Sequence, residues 1–285
     1  MVYQLNNVSV NYSNRMALRN VSCTIEKDKW ISVIGQTGAG KSTFVQVLKG
    51  LIPHINGDYL IDHQPAKRDA KGQLKVISEI GFVFQYPEHQ LFETTVFKEL
   101  AFALKQQGWS NEQIKKSISE VLPQLGLSED ILPLAPFQLS GGLKRRVAIA
   151  SVIMMNPKLL IVDEPTAGLD PVSKVALLRL LKNWQQQDNR TIIFVSHQME
   201  DVAEYSDEVI VFHEGCLMGQ LDTCTLFLEQ SHLLEKIGMS LPESVQLLKL
   251  VEELSGEKIK ISCCREQEIF EKILPIWKAG RILHV

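Results

Sequence analysis

Residues 35–42 read Gly-Gln-Thr-Gly-Ala-Gly-Lys-Ser, which is the pattern G-x-x-x-x-G-K-[ST]. An apolar run over residues 30–34 precedes this pattern, and residues 42–48 after it have a helix-like sequence. A strand, a glycine-rich turn and a helix in this order restrict the possible folds strongly, because the helix has to pack back onto the sheet that contains the strand. This segment therefore predicts an α/β fold.

The glycine-rich turn is also a candidate phosphate-binding loop. Its glycines let successive N–H groups point into one concavity, while Lys41 supplies a cation for the terminal phosphates and Ser42 offers a hydroxyl to Mg²⁺. The alternative is a turn that matches the pattern by chance, and the flanking strand and helix argue against it. We therefore predict binding of a nucleoside triphosphate through Gly35, Gln36, Thr37, Gly38, Ala39, Gly40, Lys41, Ser42 and Thr43.

The length of 285 residues and the composition restrict the domain organisation and the possible functions further. A chain of this size can form one large α/β domain with a small appendage. The net charge of -3 gives no basic excess that would indicate nucleic acid. The five cysteines form no C-x-x-C pair, which fits free thiols in a reducing cytosol. No apolar run approaches the ~18 residues that cross a bilayer, so we expect any work at a membrane to depend on other subunits.

Short apolar runs alternate with amphipathic stretches, which is typical of a largely parallel sheet flanked by helices. Strands are predicted over residues 5–10, 21–25, 30–34, 80–84, 159–162, 192–195 and 209–212. Residues 95–132 have only helical patterns, and we expect an inserted helical subdomain over about residues 86–156.

A small α+β extension is predicted over residues 222–285, after a main domain over residues 1–221. A strand over 216–220 is expected to lead into it. The predicted elements of the extension are helices over 226–237 and 243–254, a strand over 258–262 and a helix over 267–277.

Two acidic residues, Asp163 and Glu164, directly follow the apolar run over residues 159–162. A buried strand would hold them rigidly, so that Asp163 can bind Mg²⁺ through water opposite Ser42 and Glu164 can polarise the water that attacks the γ-phosphate. Many strands end in a solvated acid pair, and it is the combination with the phosphate loop that favours the functional interpretation.

His197 follows the predicted strand over residues 192–195. A histidine in this place is often an ordinary polar strand end. In a parallel sheet, however, neighbouring strands deliver their carboxyl ends to the same crevice. We therefore expect His197 to share a site with Glu164 and to contact the γ-phosphate.

Residues 139–150 read Leu-Ser-Gly-Gly-Leu-Lys-Arg-Arg-Val-Ala-Ile-Ala. A helix that begins with Gly-Gly presents free N–H groups and a positive dipole end, which suits an anion, although a plain capped helix would have the same start. The segment closely resembles the LSGGQ signature of the ATP-binding-cassette (ABC) ATPases. The resemblance implies a head-to-tail dimer in which Ser140, Gly141 and Gly142 contact the ATP bound by the partner.

This resemblance runs from about residue 5 to residue 220, with the motifs in the family's order. It implies a P-loop NTPase fold of the ABC type, with a mixed sheet core and a helical subdomain.

Tyr12 matches the aromatic residue that stacks on adenine. Gln85 matches the Q-loop glutamine, which reaches Mg²⁺ and the attacking water. Asp170 matches the D-loop aspartate across the dimer seam, and His197 matches the switch histidine. The implied catalytic residues are Glu164, His197 and Gln85, and the implied Mg²⁺ residues are Ser42, Gln85 and Asp163.

Residues 81–92 read Gly-Phe-Val-Phe-Gln-Tyr-Pro-Glu-His-Gln-Leu-Phe. This segment is similar to the Q-loop region of energy-coupling factor (ECF) transporter ATPases, including the cobalt-import type, and especially to the second of the two paralogous ATPases. So is the tail, with Leu241-Pro242 before a helix. This likeness implies a peripheral protein on the cytoplasmic side of the cell membrane that powers uptake of a vitamin or metal ion. The implied partners are a paralogous ATPase, a transmembrane coupling subunit and a membrane substrate-binding subunit, and the extension is expected to hold the ATPase pair together.

Two positions depart from the family. Leu143 replaces the usual signature glutamine, which we expect to alter turnover rather than abolish it. Residues 27–30, Lys-Asp-Lys-Trp, lack the usual glycine, a change expected to affect folding more than chemistry.

Two other functions use the same phosphate loop. Soluble ABC ATPases that act on ribosomes or nucleic acid typically have two cassettes or a coiled-coil insertion, and this sequence has one cassette and no heptad run. A P-loop small-molecule kinase would leave residues 139–144 and His197 unexplained.

Overall fold

A computed structural model of the chain describes residues 1–13 and 15–278, and within them ten strands form two sheets. The strands are β1 (Tyr3–Tyr12), β2 (Arg15–Ile25), β3 (Trp30–Ile34), β4 (Asn56–Ile61), β5 (Gln64–Pro65), β6 (Ile80–Val83), β7 (Leu159–Asp163), β8 (Thr191–Val195), β9 (Glu208–His213) and β10 (Cys216–Asp222). The first sheet is antiparallel, in the order β2-β1-β4-β5.

The second sheet, in the order β10-β9-β3-β8-β7-β6, contains the phosphate loop. Its strands are parallel except for β10, which pairs antiparallel with β9. Every residue of β3, β6 and β8 is buried, as expected for parallel strands covered on both faces. The strand order brings the carboxyl ends of β3, β8, β7 and β6 to one edge, where the predicted site residues follow them.

The helices are α1 (Lys41–Lys49), α2 (Val96–Gln106), α3 (Asn111–Gln124), α4 (Gly141–Ile153), α5 (Pro171–Gln187), α6 (Met199–Tyr205), α7 (His232–Lys236), α8 (Glu243–Ser255) and α9 (Glu266–Lys278). Short 3₁₀ turns lie at Pro87–Gln90, Glu129–Ile131 and Pro136–Gln138, and a π-helical turn lies at Thr225–Glu229. The predicted helical stretch over residues 95–132 is confirmed by α2 and α3. Ser110 caps α3 in a capping box with Gln113, and Ile114, Ile118 and Leu122 form its buried face.

The strands predicted from apolar runs are confirmed, apart from the one in the extension. The predictions missed β4 and β5, because β4 begins with the polar sequence Asn-Gly-Asp and β5 contains only Gln64 and Pro65. Such antiparallel strands have no continuous apolar run to mark them.

The strand predicted over residues 258–262 is wrong. The backbone donors of this segment bond to carboxylates instead of a neighbouring strand: the Ile259 N–H donates to Glu252 Oε1 at 2.8 Å, and the Ser262 N–H donates to Glu268 Oε1 at 2.6 Å. The described part of the extension therefore contains helices and loops but no strand beyond the end of β10. The division into residues 1–221, with a subdomain over about 86–156, and 222–285 remains a prediction, and residues 279–285 lie outside the described part.

The extension shares a hydrophobic core with the second sheet. Ile34 at the end of β3 and Val202 in α6 belong to the same buried cluster as Phe227, Leu234 and Val245 of the extension. The extension thus packs against the strand before the phosphate loop and against the helix that follows His197.

We expect Phe227→Ala to lower the free energy of unfolding by about 3–5 kcal/mol, because its fully buried ring leaves a cavity in the shared core. Phe270→Ala is the control, since this ring is 38% exposed, and its effect should stay within about 1 kcal/mol. Both are measured by denaturant unfolding of the full chain. Separate transitions for the extension and the main domain, with Phe227→Ala shifting only one, would contradict a shared core.

Candidate active site

The phosphate loop joins β3 to the start of α1 at Lys41, as predicted. Gly35 and Gly40 have φ values of 146° and 103°, which side-chain-bearing residues rarely adopt. A Cβ at Gly35 would lie 2.3 Å from the Phe212 carbonyl oxygen, and one at Gly40 would lie 2.8 Å from the Ala17 carbonyl oxygen. Backbone conformation and close packing therefore both require glycine at these two positions. The resulting turn leaves the free N–H groups at the start of α1 directed toward the loop.

Lys41 is buried and folded back over the loop. Its Nζ donates to the carbonyl oxygens of Gly35 at 2.7 Å and Gln36 at 3.0 Å. Burial lowers the pKa of Lys41, while the charges of Glu164 and Asp163 oppose that shift. The ammonium is thus a positioned, poorly solvated cation, which favours an anionic ligand.

Glu164, Gln85 and His197, the three predicted catalytic residues, lie together. Gln85 Nε2 donates to Glu164 Oε2 at 2.9 Å, and His197 Nδ1 lies 3.4 Å from Glu164 Oε1. Glu164 has a φ of 47°, a left-handed conformation that costs on the order of 1–3 kcal/mol in a non-glycine residue. Strain of this kind persists only where surrounding contacts hold it, and it is common at active sites.

Asp163 lies at the end of β7, and its carboxylate interacts with the hydroxyl of Ser42, which acts to lower the pKa of the acid. Burial and the neighbouring charge of Glu164 raise the pKa of Asp163, against the effects of Ser42 and Lys41. Carboxylate and hydroxyl oxygens are ligands that suit Mg²⁺, which is usually bound by one or two protein groups together with substrate phosphates and water. The donor set therefore fits Mg²⁺, with Asp163 and Ser42 as the residues that would hold it and Gln85 close to Glu164.

An open cavity of about 660 Å³ lies beside the loop and the catalytic residues. Sequence analysis missed part of its wall, the turn between α7 and α8, because no motif marks that turn. The cavity is lined by Gly35, Gln36, Thr37, Lys41, Glu164, His197, Met199, Glu200, Gly238, Met239 and Ser240.

A second cavity of about 240 Å³ lies on the other side of Lys41. Tyr12, predicted to stack on the base, lines it and is 47% exposed. Arg15 also lines this cavity, and the sequence patterns did not single it out. Ala39 is buried at the base of the loop.

The residues predicted to contact a partner's nucleotide are not brought to these cavities. Ser140 caps α4, accepting a hydrogen bond from the Leu143 N–H at 3.4 Å, and a Cβ added at Gly141 or Gly142 would meet no atom within 4 Å. Asp170 caps α5, accepting from the Ser173 N–H at 3.0 Å. The start of α4 is therefore open, and its contact with another chain's nucleotide stays a prediction.

Residues 18–167 match the protein-family model described as ABC transporter. The chain belongs to the ABC transporter family. This ABC transporter ATPase is 39% identical to the energy-coupling factor transporter ATP-binding protein EcfA2 of Staphylococcus epidermidis, over 97% of this chain and 99% of that protein. The resemblance found in the motifs is thereby confirmed.

Solved structures confirm the predicted ABC ATPase fold. The ABC ATPase is similar to cbiO1 from Clostridium perfringens, part of the ABC transporter complex cbiONQ, with a TM-score of 0.74, 33% identity and coverage of 87% of this chain and 98% of that one. It is also similar to the dimeric post-hydrolysis structure of the ATP-binding cassette MJ0796 bound to ADP and Pi, with a TM-score of 0.66, 28% identity and coverage of 78% and 99%.

Glu164→Gln in this ABC ATPase is expected to lower kcat at least ~100-fold, because the amide cannot act as a base toward water, while ATP affinity stays within about twofold. Steady-state hydrolysis and equilibrium ATP binding measure the two effects. Glu204→Gln, an exposed acid on α6 outside the cavity, is the control. Turnover by Glu164→Gln at the wild-type rate would remove Glu164 from the role of base.

Asp163→Asn is expected to raise the Mg²⁺ concentration for half-maximal ATP hydrolysis by about tenfold, because the amide keeps the size but loses the charge that attracts the cation. Titration with Mg²⁺ from an EDTA-treated sample measures this shift, with Asp130→Asn, an exposed acid, as the control. The assignment of Asp163 as a residue that holds Mg²⁺ is wrong if both variants need the same Mg²⁺ concentration for half-maximal hydrolysis.

Proposed function

We propose that this ABC ATPase binds and hydrolyses ATP as one subunit of an ECF importer that powers uptake of a vitamin or metal ion across the cell membrane. The observation that carries the catalytic part is the contact of Glu164 with Gln85 and His197 beside Lys41. The name of the Staphylococcus epidermidis relative supports the ECF assignment.

Each site residue has a role in this proposal. Lys41 and the N–H groups at the start of α1 bind the phosphates, and Tyr12 stacks on adenine. Glu164 accepts the hydrogen bond of the attacking water, which Gln85 and His197 help to orient. Mg²⁺, when bound beside Asp163 and Ser42, would neutralise phosphate charge.

The proposal requires a second ATPase. The start of α4 with Ser140 lies outside its own chain's cavities, so it can complete the pocket of a partner, as Asp170 can at the same seam. ATP would then contact both subunits only in the closed pair, and this differential affinity shifts the pair toward closure until hydrolysis removes the bridging charge. We propose a paralogous ATPase as this partner.

Attachment to the membrane is assigned to residues 81–92. Phe92 in this segment is 63% exposed, and its ring packs edge-on against Phe102. An exposed aromatic pair is suited to bind a helix of a transmembrane coupling subunit. In the described part of the chain, no helix is both long and apolar enough to cross a bilayer. We propose a peripheral location on the cytoplasmic side, with a separate membrane subunit that captures the solute.

Affinity purification from detergent-solubilised membranes tests this function. We expect a second ATPase and small integral membrane proteins to co-purify with the wild-type chain. Phe92→Ser should lose the membrane proteins and keep the second ATPase, because it removes an apolar contact on the proposed docking segment. Val76→Ser is the control, since Val76 is 58% exposed and lies outside residues 81–92.

Recovery of ribosomal or DNA-repair proteins in place of membrane proteins would contradict import and favour a soluble ABC ATPase. Equal recovery of membrane subunits by Phe92→Ser and Val76→Ser would contradict the assignment of residues 81–92 as the docking segment, but not the import function.

A further inference from the structure

Arg145 in α4 forms a buried hydrogen-bond network that the mechanism above does not use. The side chain is only 5% exposed. Its Nη2 and Nε donate to the two carboxylate oxygens of Glu88 at 2.7 and 3.0 Å, and its Nη1 donates to the carbonyl oxygens of Pro165 at 2.9 Å and Ala167 at 2.8 Å. One guanidinium therefore binds two separate loops at once.

The first of these loops contains Gln85. Glu88 lies in the 3₁₀ turn that begins two residues after Gln85, and Tyr86 between them has a φ of 55°. Burial raises the pKa of Glu88, but the hydrogen bonds and charge of Arg145 outweigh it and lower the pKa overall. The two-point pair with a planar guanidinium fixes the orientation of the turn as well as its distance.

The second loop contains Glu164. Pro165 and Ala167 follow it directly, and the Ala167 N–H donates to the Glu164 carbonyl oxygen at 3.2 Å. The left-handed conformation of Glu164 needs neighbours that hold it in place. The two carbonyl contacts of Arg145 are such a restraint, and they come from a rigid helix.

We propose that Arg145 is a positioning residue for ATP hydrolysis, which holds the loops of Gln85 and Glu164 in register so that the 2.9 Å contact between these side chains forms. Arg145 does not touch the nucleotide cavities. Its loss should therefore reduce the chemical step and leave ATP binding nearly unchanged.

A buried ion pair could instead serve only to stabilise the fold. In that case the variants would lower the melting temperature and the folded fraction, and each folded molecule would hydrolyse ATP at the normal rate. The kcat and the ATP affinity, each measured per folded molecule, distinguish a positioning role from a purely stabilising one.

The variants are Arg145→Lys, Glu88→Gln and the double variant, prepared in the full-length protein together with the subunits that co-purify with it. Arg146→Lys is the control, because the neighbouring Arg146 makes one 3.3 Å bond to the Gly126 carbonyl oxygen outside this network. Arg145→Lys keeps the charge but lacks the planar fork, so it cannot make the two-point contact with Glu88 together with both carbonyl contacts. We expect it to lower kcat by about tenfold or more, with ATP affinity within about twofold of wild type.

Glu88→Gln has the same shape and should lower kcat less, since the carbonyl contacts of Arg145 remain. The double variant should resemble Arg145→Lys, because both changes act on one network. Arg146→Lys should match wild type.

A wild-type kcat for folded Arg145→Lys would overturn the proposal, and so would an equal loss of kcat and ATP affinity. Should Arg145→Lys fail to fold, the isosteric Glu88→Gln decides, and a wild-type kcat in that variant overturns the proposal. The proposal rests on the ATPase activity of the family and on no particular transported solute or partner, so its failure would leave the import function standing.

Discussion

The site depends on the order of parallel strands β3, β8, β7 and β6. Their ends are in register, with Val33 paired to Val195, Asp163 paired to Val195 and Val83 paired to Val162. Residues one or two positions beyond these ends therefore meet, although Gln85 and Glu164 are 79 positions apart in sequence. An order without β7 between β6 and β8 would separate Glu164 from Gln85 and His197.

Two charged side chains beside the phosphate loop are poorly solvated. Burial shifts the pKa of Lys41 downward and that of Asp163 upward, so each charged form is disfavoured by its surroundings. A bound phosphate would offset the desolvation of Lys41, and a divalent cation would offset that of Asp163 beside Glu164. This arrangement, beside the strained backbone at Glu164, is suited to binding a charged ligand.

Local patterns explain which features could be predicted from sequence. The phosphate loop, the acid pair at Asp163 and Glu164 and the apolar parallel strands are contiguous segments whose chemistry can be recognised in place. The contact of Arg145 with Glu88 spans 57 positions and has no local signature, and Ser240 enters the cavity wall only through the packing of the extension. The strand predicted at residues 258–262 is wrong for a different reason. Ile259 and Ile261 favour a strand, but carboxylates only seven and six positions away accept the N–H groups of Ile259 and Ser262.

The extension is connected to the chemistry by more than a shared core. Its helix α7 ends in a Schellman motif, in which the Met239 N–H donates to the Leu234 carbonyl and the Gly238 N–H donates to the Glu235 carbonyl. This turn places Gly238 so close to the phosphate loop that a Cβ there would lie 2.6 Å from Gln36 Nε2. The carbonyl oxygen of Gln36 in turn accepts from Lys41 Nζ at 3.0 Å. The extension therefore packs directly against the residue whose carbonyl oxygen accepts the hydrogen bond from Lys41.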